Sequence, residues 1–459
     1  MSELKPDLCV LGAGSAGLVV AAGASQMGAS VVLLEPGEMG GDCLNYGCVP
    51  SKALLSAAAA SPKPSYADAM ANVERAIAAI EPNDSQERFE GLGVRVIRQA
   101  GHFTDARTVE AADGTRIKAR RFVIATGASA FVPPVEGLRD VPYLTNETLW
   151  QLREKPSHLL IMGGGPIGCE MALAHARLGS AVTVIEMASI LPKDDPELVD
   201  LLRQRLVAEG VSLREGVAVD SAAASSGSIT LTLSEGEPVT GSHLLVAAGR
   251  RANTESLNLE AAGIQTERGA VKVDAQTLTT NRRVYAIGDV AGGPQFTHAA
   301  GYQAGVVLKR ALFGLFWAKA DHGLMPWVTY TDPELAHIGL NEAMAREKHG
   351  GDIRILRWPF AENDRAIATG KTEGLVKVIT TPKGKILGCS ILGANAGELI
   401  LPWCLAIQNG LKIGAMAQVV APYPTMSEAS KRAAGSYYTA SLFSERTRKV
   451  VGWVQKLLP

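Results

Sequence analysis

Two cysteines, Cys43 and Cys48, stand five positions apart in the stretch Gly40-Gly41-Asp42-Cys43-Leu44-Asn45-Tyr46-Gly47-Cys48-Val49-Pro50-Ser51-Lys52. Thiols at that spacing can bridge across one distorted helical turn, provided their Cα atoms come within about 7 Å. A local pair of this kind is more often redox-active than structural in a chain without a disulfide scaffold. Six cysteines in 459 residues is no such scaffold. Lys52 follows Cys48 by four residues, one helical turn along the same face, where an ammonium stabilises a thiolate. Zinc is the competing use of two cysteines, but a second ligand pair at a useful spacing is lacking. Cys9, Cys169, Cys389 and Cys404 are scattered among apolar residues and read as buried core thiols.

Two glycine-rich turns supply the second kind of chemistry. Leu8–Leu11 leads into Gly12-Ala13-Gly14-Ser15-Ala16-Gly17, an alanine-rich helix pattern, and a strand ending at Glu35. Leu159–Met162 leads into Gly163-Gly164-Gly165-Pro166-Ile167-Gly168, another such helix, and a strand ending at Glu186. Each unit has its glutamate 23 residues after its first glycine (12 to 35, 163 to 186). One GxGxxG is a weak signal; two, each on a strand–turn–helix–strand unit with an acid at the same offset, are strong. The first glycine permits the turn, the second lets backbone approach a pyrophosphate, and the third lets helix and strand pack closely. The helix N-terminus offers free N–H groups to phosphate, and the glutamate accepts hydrogen bonds from a ribose diol.

The elements that must position these groups follow from length and pattern. A chain of 459 residues suggests about three domains at about 150 residues each. It is 47% hydrophobic and 20% charged, which excludes a disordered chain. With 45 Lys plus Arg against 46 Asp plus Glu, the net charge is −1, which argues against nucleic acid or an anionic membrane as the main partner. Phe122–Gly127 and Leu244–Arg250 are buried-strand patterns with similar endings, and Val284–Asp289 is a further strand ending in Gly288-Asp289. The first dinucleotide domain is therefore expected to be interrupted by the second and to resume near residue 275. After residue 322, runs at Arg354–Pro359, Leu375–Thr380 and Ile386–Leu392 alternate with helix-like segments, as in an α+β domain. The expected fold class is α/β, with two nested Rossmann-type domains and a C-terminal α+β domain. Ser221–Ser228 is low in complexity and is expected to be a surface loop. The N-terminus lacks a signal-peptide pattern, and there is no run of about 18 apolar residues. Both favour a cytoplasmic location without a membrane span.

The motifs GAGSAG (Gly12–Gly17), GGDCLNYGCVPSK (Gly40–Lys52), ATG (Ala125–Gly127), GGGPIGCE (Gly163–Glu170), AIGDV (Ala286–Val290) and YPTMSE (Tyr423–Glu428) resemble, in this order, those of the FAD-dependent pyridine nucleotide–disulfide oxidoreductases. That family includes dihydrolipoamide dehydrogenase, glutathione reductase and mercuric reductase, and the likeness runs nearly the whole chain. It implies an FAD-binding domain over 1–147 and 275–322, an NAD(H)-binding domain over 148–274, and a C-terminal dimerisation domain over 323–459. By the same resemblance, FAD is held by Gly12, Gly14, Ser15, Ala16, Gly17, Glu35, Gly41, Lys52, Thr126, Gly127, Gly288, Asp289 and Thr297. The nicotinamide dinucleotide takes Gly163, Gly165, Ile167, Gly168, Glu186 and Gly249. Lys52 sits at the flavin edge paired with Glu170, Cys48 is the charge-transfer thiol, and Cys43 is the interchange thiol. A homodimer with shared active sites brings Tyr423 and Glu428 from the partner. NADH gives a hydride to flavin, and two electrons pass to the Cys43–Cys48 disulfide and on to a small disulfide, thiol-bound or soft-metal acceptor. Arginines past the second ribose strand mark NADP-selective relatives; here Glu186 is followed by none before Arg203, which favours NADH over NADPH.

The chain departs from the family in places. Disulfide reductases carry a His before the Pro-Thr of the C-terminal motif, and Tyr423 stands there instead. A phenol with a pKa near 10 is a poor base at neutral pH. Mercuric reductases also have a Tyr in this region, but they usually end in a cysteine pair, which is missing from Val450–Pro459. Pro166 replaces an aromatic gate over the flavin, which predicts leakage of electrons to oxygen or quinones. His298 begins a helix or touches flavin, and Tyr437 and Tyr438 are packing residues. The run Ser444–Lys449 is a solvated charged segment, and the stretch beyond it is amphipathic. The expected activity is thus an NADH-dependent flavoenzyme with a mercuric-reductase-like site. A dihydrolipoyl dehydrogenase subunit of a 2-oxo acid dehydrogenase-type complex and a low-turnover dinucleotide-binding sensor are the alternatives.

Overall fold

A computed structural model describes residues 3–458. They form two compact units: one runs through residue 189 and adds 209–322, and the other joins 190–208 to the chain from 323 onward.

In the first unit, largely apolar runs of three or four residues become strands of a five-stranded parallel sheet. Its order is Val284–Ala286, Arg121–Ile124, Leu8–Leu11, Val31–Leu34, Arg95–Ile97. Its inner strands Leu8–Leu11 and Val31–Leu34 are buried on both faces, so their sequences read as continuous hydrophobic runs, whereas the edge strand Arg95–Ile97 is half-exposed. Leu8, Val10, Leu33 and Val123 face one core with the helices Ser15–Gln26 and Thr297–Ala311. Cys9, Leu11, Val32, Phe122 and Ile124 face the other. The second parallel sheet repeats the plan, with order Val211–Glu215, Ala181–Glu186, His158–Met162, His243–Val246. In each sheet the strand preceding the glycine turn lies between the strand leading to Glu35 or Glu186 and the Ala-Thr-Gly or Ala-Ala-Gly strand. A two-stranded link, Ala128–Ala130 with Arg250–Ala252, ties the strand ends together.

The sequence reading is corrected at Ser221–Ser228. Val219–Ser225 and Ser228–Leu233 are paired antiparallel strands, joined by a turn in which Ser226 and Gly227 both have positive φ. Val219–Ser225 is poor in β-branched residues, and its pairing with Ser228–Leu233, which carries Ile229, Thr230 and Thr232, decided this segment.

The second unit holds a five-stranded antiparallel sheet: Trp327–Thr329, Glu334–Gly339, Ile386–Gly393, Leu375–Thr380, Arg354–Pro359. Its core gathers Ile391, Val376, Phe360, Trp403 and Ala433. The helix Pro196–Ala208 also lies in this unit. Lys377, almost fully buried on a central strand, bonds Asp195 and Glu197 at 2.8 Å and Glu342 at 2.9 Å. A buried ammonium is tolerated only with such partners.

Candidate active site

The thiol stretch is not one distorted turn. Cys43 lies in a short helix, Gly41–Asn45, and Cys48 opens a second, Cys48–Ala59. Tyr46 and Gly47 break the two apart. Cys48 therefore sits at a helix N-terminus, where free N–H groups and the dipole favour a thiolate. Both cysteines are thiols in the structure and engage each other. Within the pair, the hydrogen bond from Cys43 pulls Cys48 down to about 6, helped by Thr297 and by Lys52 and opposed by burial. Cys43 is pushed up, first by that same bond and then by burial. The two thiols titrate as a pair, with Cys48 its more acidic member.

Residues far apart in sequence close around the pair. Thr297 Oγ1, at the start of helix Thr297–Ala311, is 3.4 Å from Cys48 Sγ. Ser15 Oγ, at the start of the first glycine-turn helix, reaches Cys43. Lys52 Nζ donates to both oxygens of Glu170, at 3.1 and 2.8 Å. Glu170 is 5% exposed and lies in the helix after the second glycine turn. The structure thus brings together Cys43, Cys48, Lys52, Glu170, Ser15 and Thr297. His298 stacks on Phe296, ring centroids 5.3 Å apart.

Both glycine turns have the same construction. Gly12 and Gly163 adopt φ of +106° and +115°, and a Cβ on either would meet a carbonyl oxygen at 2.4 Å. Gly17 and Gly168 lie against the carbonyls of Gly12 and Gly163, where a Cβ would be at 1.9 and 2.0 Å. The middle glycines differ from these. A Cβ on Gly165 would meet nothing within 4 Å, and one on Gly14 would touch only Gly41, at 3.9 Å. The outer glycines are fixed by packing, whereas the middle ones border open space, as a pyrophosphate cradle requires. The two glutamates are also matched. Glu35 accepts from Ala13 N at 2.6 Å and Gly37 N at 2.7 Å. Glu186 accepts from Gly164 N at 2.7 Å and Ala188 N at 3.0 Å. Ala16 is buried, Ile167 half-buried and Pro166 exposed.

Thr126 Oγ1 donates to Asn253 O at 2.7 Å, and Gly127 O accepts from Asn253 N. Gly249 has φ +133° and its carbonyl accepts from Phe131 N. Gly288 N donates to Gln303 Oε1 at 2.7 Å. Asp289 lies 3.3 Å from Arg250, which also reaches Asp42 at 3.2 Å. Burial raises the Asp289 carboxyl despite Arg250. Asp42 Oδ1 in turn accepts from Asn146 at 2.8 Å. Sequence reasoning missed Arg250, Asp42 and Asn146. The Arg immediately after Gly249 and the acid immediately before Cys43 were the available signals.

Tyr423 and Glu428 belong to the other unit. Tyr423 is 71% exposed, and its hydroxyl donates to Asp364 Oδ2 at 3.0 Å. Asp364 raises the phenol's pKa, first through that bond and then by charge. Glu428 opens helix Glu428–Ser436 and is half-buried.

Two matched dinucleotide turns beside a pair of interacting thiols define a dinucleotide-dependent dithiol oxidoreductase. The chain belongs to the pyridine nucleotide–disulphide oxidoreductase family: residues 6–304 match its main family model and residues 325–434 its dimerisation domain. It is thus an enzyme of a family that uses FAD and a pyridine nucleotide. It is 34% identical over 457 residues to a mercuric reductase of Lysinibacillus sphaericus, covering 95% of this chain and 83% of that one. A dihydrolipoyl dehydrogenase of Geobacillus stearothermophilus is 32% identical over 454 residues, covering 94% and 96%. Among solved structures, the Cu(II) complex of the HOCl-induced flavoprotein disulfide reductase RclA from Escherichia coli superposes with a TM-score of 0.87. It has 30% identity over 93% of this chain and 98% of that one. Among the described residues, no helix is long and apolar enough to cross a membrane.

Proposed function

We propose that the chain is an NADH-dependent flavoenzyme that passes electrons through its Cys43–Cys48 pair to a disulfide, thiol-bound or soft-metal acceptor. The carrying observation is the engagement of Cys43 with Cys48, where Thr297 Oγ1 lies 3.4 Å from Cys48 Sγ and Lys52, held by Glu170, acts on the same sulfur by its charge. FAD fits the first glycine turn, because the middle glycine alone borders open space. Gly12, Gly14, Ser15, Ala16, Gly17, Glu35, Gly41, Thr126, Gly127, Gly288 and Asp289 would hold it, and Lys52 and Thr297 would lie at its reactive end. When bound, FAD supplies the two-electron chemistry between a nicotinamide and a disulfide. Residues 1–147 with 275–322 would form its domain, 148–274 the nicotinamide domain, and 323–459 the subunit contact of a homodimer.

Cys48, held as a thiolate by its bond to Cys43, keeps its electron pair available. Cys43 carries the proton and faces the acceptor. In thiol–disulfide exchange, Cys43 loses that proton and its sulfur attacks one acceptor sulfur, releasing the other as a thiol. Cys48 then attacks Cys43, expels the second acceptor thiol, and re-forms the protein disulfide. Lys52, fixed by Glu170, keeps positive charge near the thiolate. Both sulfurs together also offer a soft site for Hg(II) or Cu(II), the metals that appear in the names of the mercuric reductases and the RclA complex. Glu186, with no arginine before Arg203, favours a free ribose 2′-hydroxyl and hence NADH.

The dihydrolipoyl dehydrogenases at 32% identity support a second reading, a subunit of a 2-oxo acid dehydrogenase-type complex. Tyr423 in place of an imidazole weighs against it. The test is an acceptor screen on the FAD-loaded enzyme and Cys43→Ser, with lipoamide, glutathione disulfide, coenzyme A disulfide, Hg(II) and Cu(II). NADH-driven turnover with one acceptor, lost in the variant, supports the proposal. Turnover with lipoamide at a rate far above the rest would favour the second reading.

A further inference from the structure

The helix Glu445–Val454 contains no buried residue. Ser444 caps it by accepting from Thr447 N at 3.2 Å, and Leu458 N continues its last turn to Val454 O at 3.0 Å. At 100° per residue, Trp453, Leu457, Val450, Val454, Leu458 and Val451 fall on one arc. Arg448, Lys449 and Lys456 fall on the opposite arc, with Glu445 beside them. Five of the six apolar residues are exposed, Trp453 at 65%. A helix this short is marginal in water without a surface to lie on. It also lies beyond the dimerisation domain match, which ends at residue 434.

We propose that residues 445–458 form an interfacial anchor that lies on an anionic lipid surface. Four cations stand against one acid here, a local charge of +3 in a chain of net −1. A basic polar arc opposite an apolar arc edged by tryptophan is the pattern of helices that rest in the headgroup boundary. Arg446 discriminates between occupants. It falls within the apolar arc, between Trp453 and Leu457. Pairing with a second copy would drive its guanidinium into an apolar seam, whereas at a lipid surface it extends to the headgroups. The inference is independent of the acceptor assigned above.

The test sediments the full-length, FAD-loaded protein with vesicles of phosphatidylglycerol plus phosphatidylcholine and with vesicles of phosphatidylcholine alone. Wild type is expected to sediment with the anionic vesicles and to be released by raised salt. The double variant Arg448→Glu with Lys449→Glu, and the variant Trp453→Ser with Val450→Ser, should each bind at least about tenfold more weakly, since one basic residue is worth about fivefold on an anionic surface. Flavin absorbance and reduction by NADH should be unchanged in both. No sedimentation of wild type, or equal sedimentation with both vesicle types, would overturn the proposal. So would a halved mass by light scattering in the Trp453→Ser, Val450→Ser variant, which would assign the arc to a second copy.

Discussion

Thr297 Oγ1 lies 3.4 Å from Cys48 Sγ, although 249 residues separate them. The two meet because each opens a helix, Cys48 the helix Cys48–Ala59 and Thr297 the helix Thr297–Ala311. The hydroxyl helps hold the thiol near 6, so Thr297→Val should raise it by about one unit, equivalent to ~1.4 kcal/mol. Thr297→Ser should retain the lower value. The pH titration of the charge-transfer absorbance of the two-electron-reduced, FAD-loaded enzyme measures it. An unmoved midpoint in Thr297→Val would remove the hydroxyl from the account.

Lys52 acts on the same thiolate through its charge, whereas Thr297 hydrogen-bonds it. Lys52→Met should therefore raise the Cys48 midpoint less than Thr297→Val does. It also removes the cation from a nearly buried Glu170, which should cost about 1–3 kcal/mol of stability. Thermal unfolding beside the pH titration separates the two effects. A larger midpoint shift in Lys52→Met than in Thr297→Val would reverse the ranking.

Tyr423 donates its hydroxyl proton to Asp364, which shifts the phenol upward. Tyr423→Phe should leave acceptor turnover within about twofold, because a phenol with a pKa near 10 is a poor base at neutral pH. Tyr423→His should raise turnover with lipoamide by about tenfold or more. Steady-state rates for the pair of variants decide this, and a large loss in Tyr423→Phe would give the hydroxyl a catalytic part.

Glu186 accepts two backbone N–H bonds at the end of its strand. Glu186→Arg should move the ratio of kcat/KM for NADH over NADPH by about tenfold toward NADPH, ~1.4 kcal/mol. An unchanged ratio would show that the carboxylate does not face the ribose.

Asp194 accepts from Trp327 Nε1 at 2.8 Å within the second unit. Burial raises its carboxyl from 3.8 to about 6. The folded form therefore holds a proton that the unfolded chain releases. This stability is full below about 4 and is lost as pH rises through 6. Asp194→Asn keeps an acceptor for the indole without the charge. It should stabilise the protein by about 2–3 kcal/mol at pH 8 and by less at pH 5. Unfolding midpoints at the two pH values test this, and a larger gain at pH 5 would contradict the sign.

The parts of this fold legible in sequence are those with a local code. Gly12, Gly17, Gly163 and Gly168 announce their turns, because backbone packing forbids a side chain at each. Runs such as Leu375–Thr380 read as strands because both neighbours bury them. The break at Tyr46–Gly47 was not legible, since Cys43 and Cys48 fit one helical turn equally well by spacing. The Asp42–Arg250–Asp289 cluster was hidden for another reason. Its members come from three separate segments, and only the link of Ala128–Ala130 with Arg250–Ala252 brings the guanidinium to the two acids. The serine-rich hairpin at Val219–Leu233 was concealed by composition.

The most direct test of the central claim counts thiols during reduction. FAD-loaded enzyme, isolated oxidised, is titrated anaerobically with NADH, quenched with an alkylating reagent, and mapped by mass spectrometry. The account predicts that one equivalent of NADH exposes two thiols per chain, at Cys43 and Cys48, and that Cys43→Ser takes up electrons without exposing such a pair. Flavin bleaching with no new alkylation at either cysteine would contradict it.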